Sequence, residues 1–517
     1  MLACVLSGAV LGIDAYLVTV EADVASGLPQ FTIVGLPQGA VKEGRERVVA
    51  AVQNSAFVVP PKRITINLAP ADVPKGGSAF DLPVAVGLLA GTGQIRRLER
   101  LESHVLVGEL GLDGGLRPVR GVLPVAVMAR ERGMKGIVVP PANVAEAAVV
   151  EGLEVRGAAT LAQVVRFLEG REEIAPAVVD REALFRVSSE YDCDFADVKG
   201  QEHVKRALEV AAAGAHNILM VGPPGSGKTM LARRIPTILP PLTLDEALET
   251  TKIHSVAGLL GSARSLVAAR PYRAPHHTIS DAGLIGGGSN PRPGEVSLSH
   301  NGILFMDELP EFRRNVLEVL RQPLEDSHVT ISRAAVSLTY PSRFMLVAAM
   351  NPCPCGFHGA AGQKRCTCSP LHVQRYMARV SGPLLDRIDL HVEVPAVQYR
   401  ELSDRRPGEP SEPIRERVAR ARQMQSERFA GRPEIHANAH MAARDLRDFG
   451  RIGDGGDALL RTAITRLGLS ARAYHRVIKI ARTIADLAGA AEIATAHVSE
   501  AIQYRSLDRA QGAAHVA

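Results

Sequence analysis

The chain has 517 residues, 46% hydrophobic and 22% charged, which is ordinary globular material, long enough for about three domains. Its formal charge is only +5, so any nucleic-acid surface has to be a local stripe rather than a basic tail, and six cysteines in so long a chain exclude a disulfide scaffold. The apolar run at 82–91 contains Pro83 and is about half of what a bilayer span needs. The apolar start at 1–12 lacks the positive flank of a secretory signal, since the first basic residue is Lys42; the expectation is a cytoplasmic protein with no membrane partner.

Residues 1–170 alternate β-rich runs (15–20, 31–34, 63–67, 104–107, 136–139) with helical stretches such as 41–54 and 82–89, which predicts an α/β domain without a phosphate loop. Residues 171–192 carry charges and Pro176 with no clear period and read as a linker. A second α/β domain is expected over 193–396. Its centre is Gly222, Pro223, Pro224, Gly225, Ser226, Gly227, Lys228 and Thr229, set between an apolar strand at 217–221 and a helix from 230, which is a P-loop. The glycines let backbone N–H groups wrap a β-phosphate, the helix N-terminus adds its positive end, Lys228 reaches the β/γ oxygens and Thr229 ligates Mg²⁺. ATP and Mg²⁺ are therefore the expected cofactors.

The pair His276 and His277 lies in a Gly- and Pro-flanked insert with no third metal ligand at a recognisable spacing. The loop from Arg270 to Gly288 is expected to touch substrate. An apolar strand at 302–306 then ends in Asp307 and Glu308. Such an apolar strand belongs centrally in a parallel sheet, whose carboxyl end is where ligands bind. Asp307 is expected to hold the Mg²⁺ site and Glu308 to polarise the attacking water. Residues 329–340 alternate apolar and polar about a short break, the period of a hairpin with Arg333 at its tip.

A further apolar strand at 344–350 delivers Asn351, placed to orient water and sense the γ-phosphate. Cys353, Cys355, Cys366 and Cys368 follow as C-x-C-x10-C-x-C, four soft ligands suited to a tetrahedral structural Zn²⁺, with His358 or His372 as alternative ligands. Arg387 stands just before another strand and has the place of an arginine finger, unless it pairs with Asp386 or Asp389. From 397 to 517 the pattern is helical, with segments at 414–429 (capped by Ser411), 441–449, 457–467, 471–487 and 496–504: an all-α lid.

These parts carry a resemblance. The segment 74–89 (Pro-Lys-Gly-Gly-Ser-Ala-Phe-Asp-Leu-Pro and onward) resembles the Ser/Lys protease domain of Lon and its non-peptidase relatives, which implies a ribosomal-protein-like fold for residues 1–170. Aligned on that motif, the nucleophile's place falls on Ala79 and the lysine's on Leu123. Ser78 is one residue off, and without nucleophile and base no acyl transfer runs, so a non-peptidase scaffold is expected.

The strings running from Arg270 through His276 and His277 to Ser280, at 286–288, 293–298 and 307–312 are similar to the ComM/YifB family of magnesium-chelatase-like AAA+ proteins over nearly the whole chain. That resemblance implies an AAA+ core, a homo-hexameric ring that hydrolyses ATP, and action on single-stranded or branched DNA in transformation and recombination. It implies that Arg387 acts across a subunit boundary and that Arg472 is the sensor-2 arginine of the lid, Arg476 being one turn away on the same face. It also implies a pore hairpin whose Arg333 grips phosphates without reading bases. A metal-chelatase motor subunit is the alternative, and an ATP-gated scaffold without required hydrolysis a third reading.

Overall fold

In the computed structural model the apolar start of the chain is a strand, β1 (Leu2–Leu11), running antiparallel to β2 (Asp14–Ala25) from Leu2↔Asp23 to Leu11↔Asp14. The structure describes residues 2–73, 75–180, 185, 191–260, 265–288, 291–333, 336–359, 365–397, 407–432, 434–467 and 470–505. Two compact units are present. One comprises Met1–Val187, Leu244–Ala268 and Ser332–Tyr340; the other Ser188–Thr243, Ala269–Ile331 and Pro341–Ala517.

The first unit is built on a seven-stranded mixed sheet. Strands β3 (Gln30–Val34), β4 (Arg63–Ala69), β5 (His104–Leu106), β6 (Gly136–Val139) and β7 (Glu154–Gly157) join β1 and β2 in the order β3-β4-β2-β1-β5-β6-β7. Helix α1 (Gly39–Asn54) precedes β4, and α2 (Asp81–Gly91) packs on β1 and β2 with all eleven residues buried. That burial explains an apolar run with no amphipathic period. Ala79, at the nucleophile's place, uses its carbonyl to accept the Gly108 N–H at 3.0 Å, and Leu123, at the lysine's place, is fully buried in α3 (Val122–Glu131). Ser78 donates to the Glu109 carboxylate. The aligned positions Ala79 and Leu123 carry no nucleophile and no base. The helix Leu244–Ala257, from the P-loop half of the sequence, packs on α3; its Lys252 meets Asp14 at 2.9 Å and its Ser255 donates to Glu146.

The second unit holds a five-stranded parallel sheet. Its strands are β8 (Ile218–Val221), β9 (Tyr272–Arg273), β10 (Ile303–Met306), β13 (Met345–Met350) and β14 (Leu390–Glu393), in the order β9-β10-β13-β8-β14. Every residue of β8, β10 and β13 is buried, as the unbroken apolar runs require of central parallel strands. Register sets the site: Val221 pairs with Met350 and Met306 with Ala348, so the residues following β8, β10 and β13 emerge at one edge. The expected hairpin is present as β11 (His328–Arg333) and β12 (Val336–Pro341), paired with each other. Arg333 ends β11, and its side chain lies outside the described part of the structure.

Helices α4 (Glu202–Gly214) and α5 (Lys228–Ile238) flank β8 in sequence, the short α6 (Arg321–Asp326) precedes β11, and α7 (Pro370–Met377) follows the cysteines. The C-terminal helices are α8 (Ser411–Arg428), α9 (Ala443–Phe449), α10 (Asp454–Leu467), α11 (Ala471–Leu487) and α12 (Thr495–Gln503). One hydrophobic cluster runs from Ile218, Phe305 and Val347 in the sheet to Val418, Ile480 and Val498 in these helices, so sheet and helices share a core. Ser411 is not the cap of α8. It is the first helical residue, and its hydroxyl accepts the Phe195 N–H at 2.9 Å instead.

Candidate nucleotide site

The P-loop joins β8 to α5 over residues 222–227. Gly222 is required by close approach: a Cβ there would stand 2.1 Å from the Val394 carbonyl oxygen. Gly225 and Gly227 have φ of +76° and +88°, the left-handed region open to glycine. Lys228 is buried, and its ammonium donates to the carbonyls of Gly222 at 2.8 Å and Pro223 at 2.9 Å and to Asn351 Oδ1 at 3.3 Å. Burial lowers its pKa, with Asp307 and Glu308 opposing. Thr229 Oγ1 donates to Asp307 Oδ2 at 2.6 Å.

Four predicted residues from three strand ends are thus within hydrogen-bond reach, and a loop cradle that a Cβ would fill fits the phosphates of a nucleotide. Thr229 and Asp307 fit one hard divalent cation, for which oxygen ligands are the suited set. Glu308 follows in the left-handed region at φ 52°, ψ 47°, a backbone state disfavoured for a non-glycine residue and found often at functional sites. Its side chain is 58% exposed.

Two residues make contacts that the sequence did not predict. Gln201 donates from Nε2 to the Ser226 carbonyl at 2.9 Å and to the Pro395 carbonyl at 2.8 Å, tying the P-loop to the chain after β14. Tyr272 is stacked on Phe305 with 6.1 Å between centroids, and burial pushes its hydroxyl up. His277, expected to face substrate, has Nδ1 3.7 Å from Glu308 Oε2 and meets Phe312 edge-on. His276 packs on His277 at 4.1 Å and reaches the Thr278 hydroxyl at 2.9 Å. This loop is anchored by Arg270, which donates to the Pro240 and Asn301 carbonyls, and by a two-bond pair from Arg273 to Glu295, both at 2.6 Å.

Arg387 and Arg472 are not brought to the P-loop. They line a cavity of about 270 Å³ together with Arg343, Asp389, Arg476 and Lys479. Arg387 is buried, pairs with Glu325 rather than with Asp386 or Asp389, and donates to the Pro383 carbonyl at 2.5 Å; its Nε has no partner. Arg476 meets Asp389 at 3.1 Å, and its Nη1 is likewise buried without a partner. Arg472 is exposed. Unpaired buried guanidinium N–H groups beside a cavity are the donor set an anion needs.

The four cysteines converge, their sulfurs all lying within 4.8 Å of one another. Cys353 Sγ is 3.3 Å from Cys355 and 3.8 Å from Cys366, and Cys355 is 3.6 Å from Cys366. Tetrahedral Zn–S bonds of about 2.3 Å place sulfurs about 3.8 Å apart, so this donor set fits Zn²⁺. The backbone amides of Phe357 and Thr367 pull the Cys355 thiol down to about 5, and the His358 N–H donates to Cys353 Sγ at 3.3 Å. The imidazoles of His358 and His372 are outside the converging group. Among the described residues no helix is long and apolar enough to cross a membrane.

Three family profiles match the chain: "Magnesium chelatase, subunit ChlI" over residues 194–402, "Subunit ChlI of Mg-chelatase" over 20–143 and "Magnesium chelatase, subunit ChlI C-terminal" over 408–505. The competence protein ComM of Haemophilus influenzae is 45% identical over 512 residues, 98% of each chain. The uncharacterized protein YifB of Escherichia coli is 44% identical over 503 residues, 97% of this chain and 96% of its own. Lon protease 2 of Bacillus subtilis is 31% identical over 157 residues, 28% of this chain and 27% of its own.

Proposed function

The chain belongs to the ComM/YifB family of magnesium-chelatase-like AAA+ proteins, and from that premise we propose that it is a Mg·ATP-driven hexameric ring motor on DNA, a helicase of branch migration in natural transformation and recombination. The observation that carries the ATPase half is the 2.6 Å bond from Thr229 to Asp307, beside Lys228 held at 3.3 Å from Asn351. Those four groups arrive from three strand ends and suit a metal and a γ-phosphate together.

In this reading residues 222–227 wrap the phosphates and Lys228 turns its ammonium from the loop carbonyls to the β/γ oxygens. Thr229 and Asp307 would hold Mg²⁺, which would supply charge neutralisation for the phosphates. Glu308 takes the proton of the attacking water and Asn351 orients that water. Arg387 and Arg472, with Arg476 behind them, offer the cationic cavity to the nucleotide of a neighbouring subunit. The unpartnered Nε of Arg387 supports that role. The Cys353, Cys355, Cys366 and Cys368 group holds a structural Zn²⁺.

The DNA half rests on the kinship with a competence protein. His276, His277 and Arg333 are the proposed DNA-facing residues. Phosphate contacts position without reading bases, so single-stranded or branched DNA is the partner, bound by structure and weakened by salt. The chelatase profiles favour a second reading, a metal-chelatase motor subunit.

One experiment separates them: ATP hydrolysis measured with forked DNA and, in parallel, with chelatase partner proteins and porphyrin. Stimulation by the fork alone is expected, with Glu308→Gln binding ATP but not turning it over. Stimulation by the chelatase system alone, or wild-type turnover by Glu308→Gln, overturns the proposal.

A further inference from the structure

We propose that the four-cysteine centre is a clamp on the nucleotide site: a tetrahedral metal held by Cys353, Cys355, Cys366 and Cys368 fixes the P-loop and Asn351, so that metal and nucleotide favour each other's binding. The proposal rests on the reading of the P-loop as an ATP site.

The first link is covalent. Strand β13 ends at Met350, Asn351 follows, and Cys353 stands two residues further on, fully buried. Whatever fixes the Cys353 sulfur therefore fixes the backbone that aims the Asn351 amide at Lys228.

The second link is steric. Gly356 closes the first cysteine pair at φ +86°, and a Cβ on it would stand 2.4 Å from Cδ and 2.6 Å from Cγ of Pro224. The backbone of the cysteine loop thus lies directly against the outer face of the P-loop, with no room for a side chain between them.

The third link closes the circuit. Cys368 leads into Ser369, which caps α7 by accepting the His372 N–H at 3.3 Å. From α7 the buried Tyr376 brings its hydroxyl beside the backbone of Asn351. Asn351 is therefore joined to one end of the cysteine segment and approached by the helix that follows its other end, while Pro224 is pressed from its middle.

A four-coordinate metal organises such a segment outright, because two Cys-x-Cys turns have little apolar surface with which to order themselves. Sulfurs 3.3–3.8 Å apart are at the edge length of an MS₄ tetrahedron and well outside disulfide bonding. Coupling between two bound ligands is reciprocal: if metal tightens nucleotide binding by a given factor, nucleotide tightens metal binding by the same factor.

The test uses the full-length chain. Wild-type protein purified without chelators is analysed for zinc, stripped, and refilled with Zn²⁺ or Co²⁺, and at each stage a fluorescent ATP analogue is titrated. About one zinc per chain is expected, with nucleotide affinity at least about fivefold weaker after stripping and restored on refilling. Transfer of zinc to a chromogenic chelator is expected to be slowed by ATP, and the zinc affinity raised by the matching factor.

Gly356→Ala separates the clamp from the fold. It is expected to keep its zinc and the thiolate-to-cobalt absorption of the refilled protein while losing nucleotide affinity. A chain without zinc, a stripped protein that binds ATP as tightly as the filled one, or a zinc-loaded Gly356→Ala protein with unchanged affinity overturns the clamp alone. Zinc-loaded wild-type protein that binds no nucleotide overturns the ATP reading, and the clamp with it.

Discussion

The imidazole Nδ1 of His277 stands 3.7 Å from Oε2 of Glu308, across 31 residues of sequence. Glu308 is held in a left-handed backbone state with its side chain open to solvent, so His277, itself packed on Phe312, is placed to limit where its carboxylate points. His277→Ala is expected to lower basal ATP turnover by roughly tenfold or more, the scale of a misplaced catalytic group. Nucleotide affinity should be unchanged, and His276→Ala should keep basal turnover while losing stimulation by DNA. Steady-state hydrolysis with and without forked DNA checks both; equal loss of basal and stimulated rates in His276→Ala removes it from the DNA-facing set.

Arg472 and Arg476 lie one turn apart on α11 and are expected to respond differently. Arg476 supports Asp389, which also accepts from His216 and the Asn217 N–H, both at 3.3 Å. Although burial opposes it, the His216 hydrogen bond and the charge of Arg476 hold the Asp389 carboxyl below the usual carboxylate range. Removing one partner of a buried pair costs about 3–5 kcal/mol, so Arg476→Ala should show a markedly lower thermal midpoint. Arg472→Ala should keep the midpoint and lose turnover. The opposite pattern would assign the sensor role to Arg476.

Because Arg387 lines a cavity away from its own P-loop, its activity is expected across an interface. Arg387→Ala and Lys228→Ala chains should each be inactive in homogeneous rings. Mixed rings contain interfaces with one intact P-loop and one intact arginine, and should regain part of the hydrolysis rate. Mixed rings that assemble without regaining any rate would remove the trans role.

His104 carries an acid-sensitive element of the first unit. Burial pulls its imidazole below the ordinary value near 6.5, with the Arg100 carbonyl at 3.1 Å opposing. The unfolded chain then takes up the proton at a higher pH than the folded one. Stability is full above about pH 6.5 and falls as pH drops below it, by up to about 1.4 kcal/mol per pH unit for one such group. The thermal midpoint of wild type should fall between about pH 7.5 and pH 5.5 by more than that of His104→Leu. Equal falls would show that His104 takes up its proton alike in the folded and unfolded states.

The candidate nucleotide site was legible because its glycines, Lys228 and Thr229 are contiguous, and because the strands that deliver Asp307 and Asn351 are apolar throughout and so cannot lie at a surface. Contacts set by tertiary register were not legible. Gln201 reaches Ser226 and Pro395 across 25 and 194 residues, and Arg387 finds Glu325 across 62, while the sequence offered only its neighbours Asp386 and Asp389. Ser411 has the composition of a cap, yet a buried backbone N–H at Phe195 claims its hydroxyl. Residues 2–11, which show half-buried alternation only once paired, gave no strand signal as an apolar run.

The first unit draws on three separated pieces of chain, the last of them Ser332–Tyr340, and its Asp14 is paired with a lysine 238 residues downstream. A growing polypeptide therefore cannot complete this unit when its own 187 residues have emerged. At about 5–20 residues per second the ribosome needs on the order of 20–70 s to reach residue 340, and for most of that time Asp14 and Glu146 have no partners from the helix Leu244–Ala257. The unit that begins first is finished only after the P-loop and the Asp307-Glu308 strand have left the exit tunnel, so biogenesis of the chain runs as one interleaved event rather than domain after domain.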